Sequence, residues 1–256
     1  MPERHPVVHD ATGRAPRGRM LVVTSPLVRQ RELCGRARDT HLAWLLDALA
    51  VDLVLDVGAN RGQFGLAVRE MGYAGPLVSF EPAAQPRAEL ERVAAADDAW
   101  SVRAEALGST ASDAELHAVD DESELGSLRD ASAFGRAWKE QLGRTRAETV
   151  AVRRLDALWD EIATGASRVL LKLDTQGHDL EAFRGAGRLV QPGGPVVAVL
   201  TEVACLPIYD DVPTMDEHLA ETGAAGWSLA GLYPVSFDAA SLRVIELDAV
   251  LVRTPS

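Results

Sequence analysis

The residues of this chain best placed to do chemistry follow short apolar runs. Asp56 and the glycines Gly58 and Gly62 follow residues 51–55, and Glu81 follows 76–80. Asp174 and His178 follow 169–173, and Glu202 follows 195–200. Ligands gather outside the carboxyl ends of strands in an open α/β sheet, so Asp174 and Glu202, ending adjacent central strands, should face one crevice. Gly58 and Gly62 let the backbone approach a ligand with no Cβ in the way. No Gly-Lys-Ser/Thr follows, which excludes a P-loop, and the spacing is GxxxG with Asn60 inside rather than GxGxxG. An acid before such a turn suits a ligand with hydroxyls and positive charge better than one with phosphates. S-adenosylmethionine is such a ligand. Glu81, 25 residues beyond Asp56, is spaced to accept hydrogen bonds from both ribose hydroxyls.

If the ligand is a methyl donor and the acceptor a hydroxyl, the chemistry needs a group that takes the proton, or a metal that acidifies it. His178 is the candidate base, since a free imidazole titrates near about 6.5; the competing role is a helix-start histidine satisfying a backbone group. Asp174 and Glu202, with His178 or Asp179 nearby, could hold Mg²⁺, which favours carboxylates and water. Otherwise Asp174 orients the cofactor amine or the base, and Glu202 binds substrate or caps a loop. Lys172, between apolar neighbours in a strand, calls for an acidic partner in a structural ion pair. His5, His9, His41, His117 and His218 fall in the N-terminal stretch or on expected helix and strand surfaces. Of Trp138, Trp159 and Tyr209, only Tyr209 is taken as lining a substrate pocket, because it follows the fifth strand.

The elements that position these groups alternate. Residues 1–25, rich in Arg, Pro and Gly, read as a mobile leader. A helical cap over 26–50 follows; Leu42, Leu45, Leu46 and Leu49 make one apolar face, and the half before them is a lid over the cofactor. Strands are expected at 51–57, 76–80, 99–104, 169–173 and 195–200, with helices at 64–71, 86–96, 179–190 and 214–222. Residues 105–108 read as a loop beside the cleft, where adenine could sit. An insertion, about 112–150, contributes two short strands around the polar segment 120–147, with Ser127 and Leu128 near the cleft and much of the rest mobile. Residues 227–232 and 244–252 form a closing antiparallel pair. The pattern predicts an α/β fold: a doubly wound, mostly parallel sheet with one antiparallel edge strand and helices on both faces.

The bulk properties set limits. The chain has 256 residues, 47% of them hydrophobic, enough for one large domain over 26–256. A formal net charge of -12 argues against a nucleic-acid backbone as partner. Cys34 and Cys205 have neither metal nor redox spacing and read as reduced thiols. No run is long enough to span a bilayer and no signal peptide precedes the domain, so the expectation is a cytoplasmic protein.

Three segments together resemble the FkbM-type methyltransferase family, over about residues 41–253. They are Asp56-Val57-Gly58-Ala59-Asn60-Arg61-Gly62-Gln63-Phe64, Ser79-Phe80-Glu81-Pro82, and Leu171-Lys172-Leu173-Asp174-Thr175-Gln176-Gly177-His178-Asp179-Leu180-Glu181. Weaker echoes are Ala106-Leu107-Gly108, Gly126-Ser127-Leu128, and Pro207-Ile208-Tyr209 after Glu202. The resemblance implies a class I (Rossmann-like) methyltransferase of seven strands and S-adenosylmethionine-dependent O-methylation of a sugar, polyketide or other secondary metabolite. It implies a cofactor site from Asp56, Gly58, Ala59, Asn60, Gly62, Gln63, Glu81, Pro82, Ala106, Leu107 and Asp174. His178, Asp174 and Glu202 would be catalytic, Tyr209 and Ser127 would bind substrate, and Asp174 and Glu202 would hold any Mg²⁺. His178 and Asp179 depart from the Tyr and Glu frequent in the family, which touches the acid–base chemistry. Two other readings stand beside this one: a small-molecule amine as acceptor, and a non-catalytic cofactor-binding module. A homo-oligomer is compatible with all three.

Overall fold

The computed structural model describes residues 26–119, 123–163 and 165–253. Residues 1–25, expected as a leader, lie outside the described residues. In chain order the elements are α1 (Pro26–Ala48), β1 (Leu53–Val57), α2 (Gln63–Glu70), β2 (Leu77–Phe80), α3 (Ala84–Ala94), β3 (Trp100–Arg103), β4 (Ala106–Leu107) and β5 (Ser112–Ala118). Then come α4 (Ala133–Trp138), β6 (Arg146–Arg153), α5 (Leu155–Ile162), β7 (Val169–Leu173), α6 (Asp179–Gly185), β8 (Val196–Ala204), α7 (Met215–Ala224), β9 (Trp227–Asp238) and β10 (Arg243–Arg253).

Seven strands make one sheet in the order β3-β2-β1-β7-β8-β10-β9. The strands from β3 to β8 pair in parallel, and β10 runs antiparallel between β8 and the edge strand β9. This is the mostly parallel class I methyltransferase sheet, with its antiparallel pairing confined to one edge. Strands β1, β2 and β7 are buried along their whole lengths, as apolar runs covered on both faces must be. One core packs α5 and α6 on the sheet through Leu158, Trp159, Leu180 and Phe183. The other packs α1, α2 and α3 on the opposite face through Leu42, Leu45, Val68 and Leu90.

The insertion is more structured than its composition suggested. Residues 106–107, expected as loop, form β4, which joins β6 and β5 in a second, three-stranded sheet. Within 120–147, Ser132 accepts the Gly135 N–H at 2.9 Å and starts α4, as an N-cap should. Leu125 and Leu142 pack there with Ile208 and Tyr209. Helix α5 was not expected, although Leu155, Leu158, Trp159 and Ile162 carry the spacing of one helical face. Strand β8 extends to Ala204, so Glu202 lies inside it rather than beyond its end. Among the described residues no helix is long and apolar enough to cross a membrane.

Candidate active site

A cavity of about 510 Å³ opens at the carboxyl ends of β1, β2, β7 and β8. Toward β1 and β2 it is lined by Gly58, Ala59, Asn60, Gln63, Glu81, Pro82, Ala106 and Leu107. Toward β7, β8 and β10 it is lined by Asp174, Gln176, His178, Glu202, Glu246 and Asp248. Leu27, Val28 and Arg31 of α1 also line it, where the lid was expected. Arg38 ties that helix to the sheet through an ion pair with Asp248 at 2.7 Å.

The glycine turn is built to bring the backbone close. Gly58 has φ +75° and Gly62 φ +91°, conformations that cost a side chain dearly. The N–H groups of Gly58 and Ala59 both donate to the Phe80 carbonyl at 3.0 Å, joining the turn to β2. The Glu81 carboxylate accepts from the Asn60 and Ala83 N–H groups, each at 2.8 Å. Burial pushes its pKa up to about 7 against those two hydrogen bonds. It is a buried carboxylate short of donors, and two adjacent ribose hydroxyls are such donors. The cradle fits the adenosyl end of S-adenosylmethionine.

Two glycine-turn assignments change. Asp56 is fully buried and does not line the cavity; its carboxylate pairs with Lys172 at 2.9 Å and accepts from the Ser79 hydroxyl at 3.1 Å. Residues in a strand alternate faces, and position 56 lands in register with Lys172 beneath the turn. Gly62 does not line the cavity either: a Cβ there would lie 3.0 Å from Leu90 Cδ1, so it lets α2 pack on α3.

Across the cavity, Gln176 organises the polar floor. Its amide nitrogen donates to Asp174 Oδ1 at 3.1 Å and Glu202 Oε2 at 3.3 Å, and its amide oxygen accepts from Tyr209 at 2.8 Å. Tyr209 is therefore not a substrate wall: it is buried, with its hydroxyl also 3.0 Å from the Leu125 carbonyl. Ser127 is likewise spent, donating to the Gln176 carbonyl at 2.6 Å. Beside it Arg129 donates to the Gly177 carbonyl at 2.7 Å. Together they clasp a loop in which Gln176 and Gly177 both have positive φ. Trp138, by contrast, lines the cavity, and Trp159 belongs to the core.

The floor does not suit a metal. An amide N–H donor stands between Asp174 and Glu202, where a cation would need an oxygen. Among the described residues no three His, Cys, Asp or Glu side chains are grouped to hold an ion. Glu202 instead meets acids from β10, with Asp248 as its direct cross-strand partner. The charge of Glu246 lies close enough to oppose ionisation of Glu202. Burial, with Glu246 adding to it, pushes the Glu202 pKa well up. Burial also raises Glu246 to about 7. Ser236 donates to Glu246 at 2.8 Å.

His178 precedes α6 and lies against the Gly108 turn, where a Cβ would come 3.0 Å from its Nε2. Burial, then the nearby Arg129 charge, lowers its pKa below 6.5, so the ring is neutral at pH 7. Of the histidines expected at the surface, His218 is in fact buried behind Thr201.

The residues missed in the sequence are Gln176, Glu246 and Asp248. Gln176 lies between two acids that drew the attention, and the β10 acids become neighbours of Glu202 only through antiparallel pairing.

The family described as "Methyltransferase FkbM domain" matches residues 56–226, more than half of the chain. No curated protein gives a significant match. Among solved structures, the chain is similar to magnesium protoporphyrin IX methyltransferase from Synechocystis PCC 6803 with bound S-adenosylmethionine. That likeness has 12% identity, covers 90% of this chain and 85% of the other, and has TM-score 0.44. An rRNA methylase from Streptococcus thermophilus is similar at 9% identity, covering 86% of this chain and 95% of the other, with TM-score 0.43.

Proposed function

We propose, starting from the fact that the chain belongs to the FkbM methyltransferase family, that it transfers a methyl group from S-adenosylmethionine to a hydroxyl of a small molecule such as a sugar or polyketide. When bound, S-adenosylmethionine would supply a methyl group on a sulfonium, the acceptor oxygen forming the new C–O bond in line as the C–S bond breaks and the sulfur keeps the bonding pair. Glu81 holds the ribose, the Gly58–Asn60 backbone and Gln63 line the path of the methionine, and Ala106 and Leu107 flank adenine. Asp174 receives the methionine amine. Alignment of this kind is worth roughly 7–11 kcal/mol of barrier.

His178, neutral at pH 7, lines the same cavity as the glycine turn and Glu81, which supports transfer to a hydroxyl. It takes the proton the hydroxyl loses, so that no charge is left on oxygen. Glu202 and Glu246, whose pKa values burial raises, present acceptor lone pairs and, where protonated, a donor, which suits hydroxyls. Leu116, Leu125, Leu128, Trp138, Val235 and Phe237 offer an apolar wall for the rest of the acceptor.

A second reading, an amine acceptor, draws on the acidic lining from Asp174, Glu202 and Glu246, which would hold an ammonium. Paired acceptors that differ only in carrying a hydroxyl or an amine decide between them, with S-adenosylhomocysteine release as readout. Turnover of the alcohols alone is expected; turnover of the amines alone would replace this reading with the second. An intact turn and Glu81 speak against a non-catalytic module, which binding without any turnover across that panel would favour.

A further inference from the structure

We infer that Lys172 is a positioning residue, which holds the peptide backbone of the Gly58 turn and the side chain of Asp174 in the arrangement that receives the cofactor. The inference rests on the reading of that turn as the cofactor site.

Lys172 sits inside β7 and is 5% exposed, where a leucine would be the cheaper choice. Its Nζ lies 2.9 Å from Asp56 Oδ1, 2.8 Å from the Gly58 carbonyl oxygen and 3.3 Å from the Val57 carbonyl oxygen. Burial opposes its charge, but Asp56 and Asp174 outweigh that and raise its pKa. An ammonium has three protons, and three oxygens surround them, so none is left to donate to a ligand. Lys172 borders the cavity yet acts through what it holds.

What it holds is the peptide that faces the ligand. The Gly58 carbonyl points to Lys172 while the next N–H, of Ala59, points the opposite way to the Phe80 carbonyl at 3.0 Å. A planar trans peptide fixes these two directions together. The Gly58–Ala59 peptide is thus strung between β7 and β2, and both anchors set its angle. Nζ also lies 3.7 Å from Asp174 Oδ2, and its charge reaches Asp179. A single side chain therefore links the turn of β1 to the carboxylate at the end of β7.

A merely structural ion pair and a positioning residue give different results when both charges are removed. Lys172→Met alone leaves Asp56 as a buried, unpaired charge and should lower the melting temperature sharply. Asp56→Asn with Lys172→Met removes both charges and should recover most of that loss. The double variant should still bind S-adenosylhomocysteine at least roughly tenfold more weakly than wild type by calorimetry. A folded double variant with wild-type affinity would overturn the inference. Failure of the wild type itself to bind would instead overturn the reading of the cofactor site. If the double variant does not fold, Asp56→Asn with Lys172→Leu, another neutral pair, is held to the same comparison.

Discussion

The Cα of Gly58 lies against the backbone of Asp174: a Cβ built on Gly58 would stand 1.8 Å from the Asp174 carbonyl oxygen. The turn after β1 and the end of β7 are thus in contact, with no room for a methyl group between them. Positive φ alone costs Ala about 1–2 kcal/mol, and the overlap adds to it. Gly58→Ala should lower the melting temperature and abolish S-adenosylhomocysteine binding. Unchanged thermal melting and calorimetry would show that the contact tolerates a side chain.

The carboxylate of Glu81 links cofactor binding to pH. Its pKa, raised from 4.5 to about 7 by burial, means that the folded free protein keeps a proton the unfolded chain has lost. Stability from this group is fully present below about 4.5 and lost as pH rises through about 7. Ribose hydroxyls prefer the ionised form, so binding should release a proton near neutrality, and affinity should fall as pH drops below about 7. Calorimetry in buffers of different ionisation enthalpy measures the proton count, and Glu81→Gln should remove both effects.

His178 should set the acid limb of turnover. The neutral ring is the active form and its pKa lies below 6.5, so kcat should rise with pH and level off before neutrality. His178→Ala should lower kcat by roughly 10²–10⁴-fold with little change in cofactor affinity. A pH–rate profile unchanged in that variant would move the proton elsewhere, the Glu202–Glu246 pair being next in line.

Chelation should do nothing. With the Gln176 amide between Asp174 and Glu202, turnover in EDTA should equal turnover in added Mg²⁺. Loss of rate in EDTA that Mg²⁺ restores would contradict this arrangement of the floor.

The backbone of the site was legible in the sequence because glycines and strand ends have few alternatives. Gly58, Glu81, Asp174 and His178 all line the cavity from the elements expected for them. Side-chain direction was harder. Asp56 reads as a ligand from its place near a strand's carboxyl end, yet the two-residue period of the strand turns it toward Lys172. Two charges inside apolar runs, at 56 and 172, were the available sign of that pairing. Tyr209 and Ser127 lie close to the site, but their hydroxyls hold the Gln176 loop, a distinction no residue type encodes. Glu246 and Asp248 could not be placed without the register of β10 on β8.

Methyl transfer to oxygen is tested by the product of a single reaction. Enzyme, S-adenosylmethionine labelled with ¹³C at the methyl group, and a hydroxylated acceptor should give one labelled methyl ether per S-adenosylhomocysteine released, identified by the carbon shift in NMR. A labelled methyl found on nitrogen or carbon, or no label transferred to any hydroxyl while amines are methylated, would contradict it.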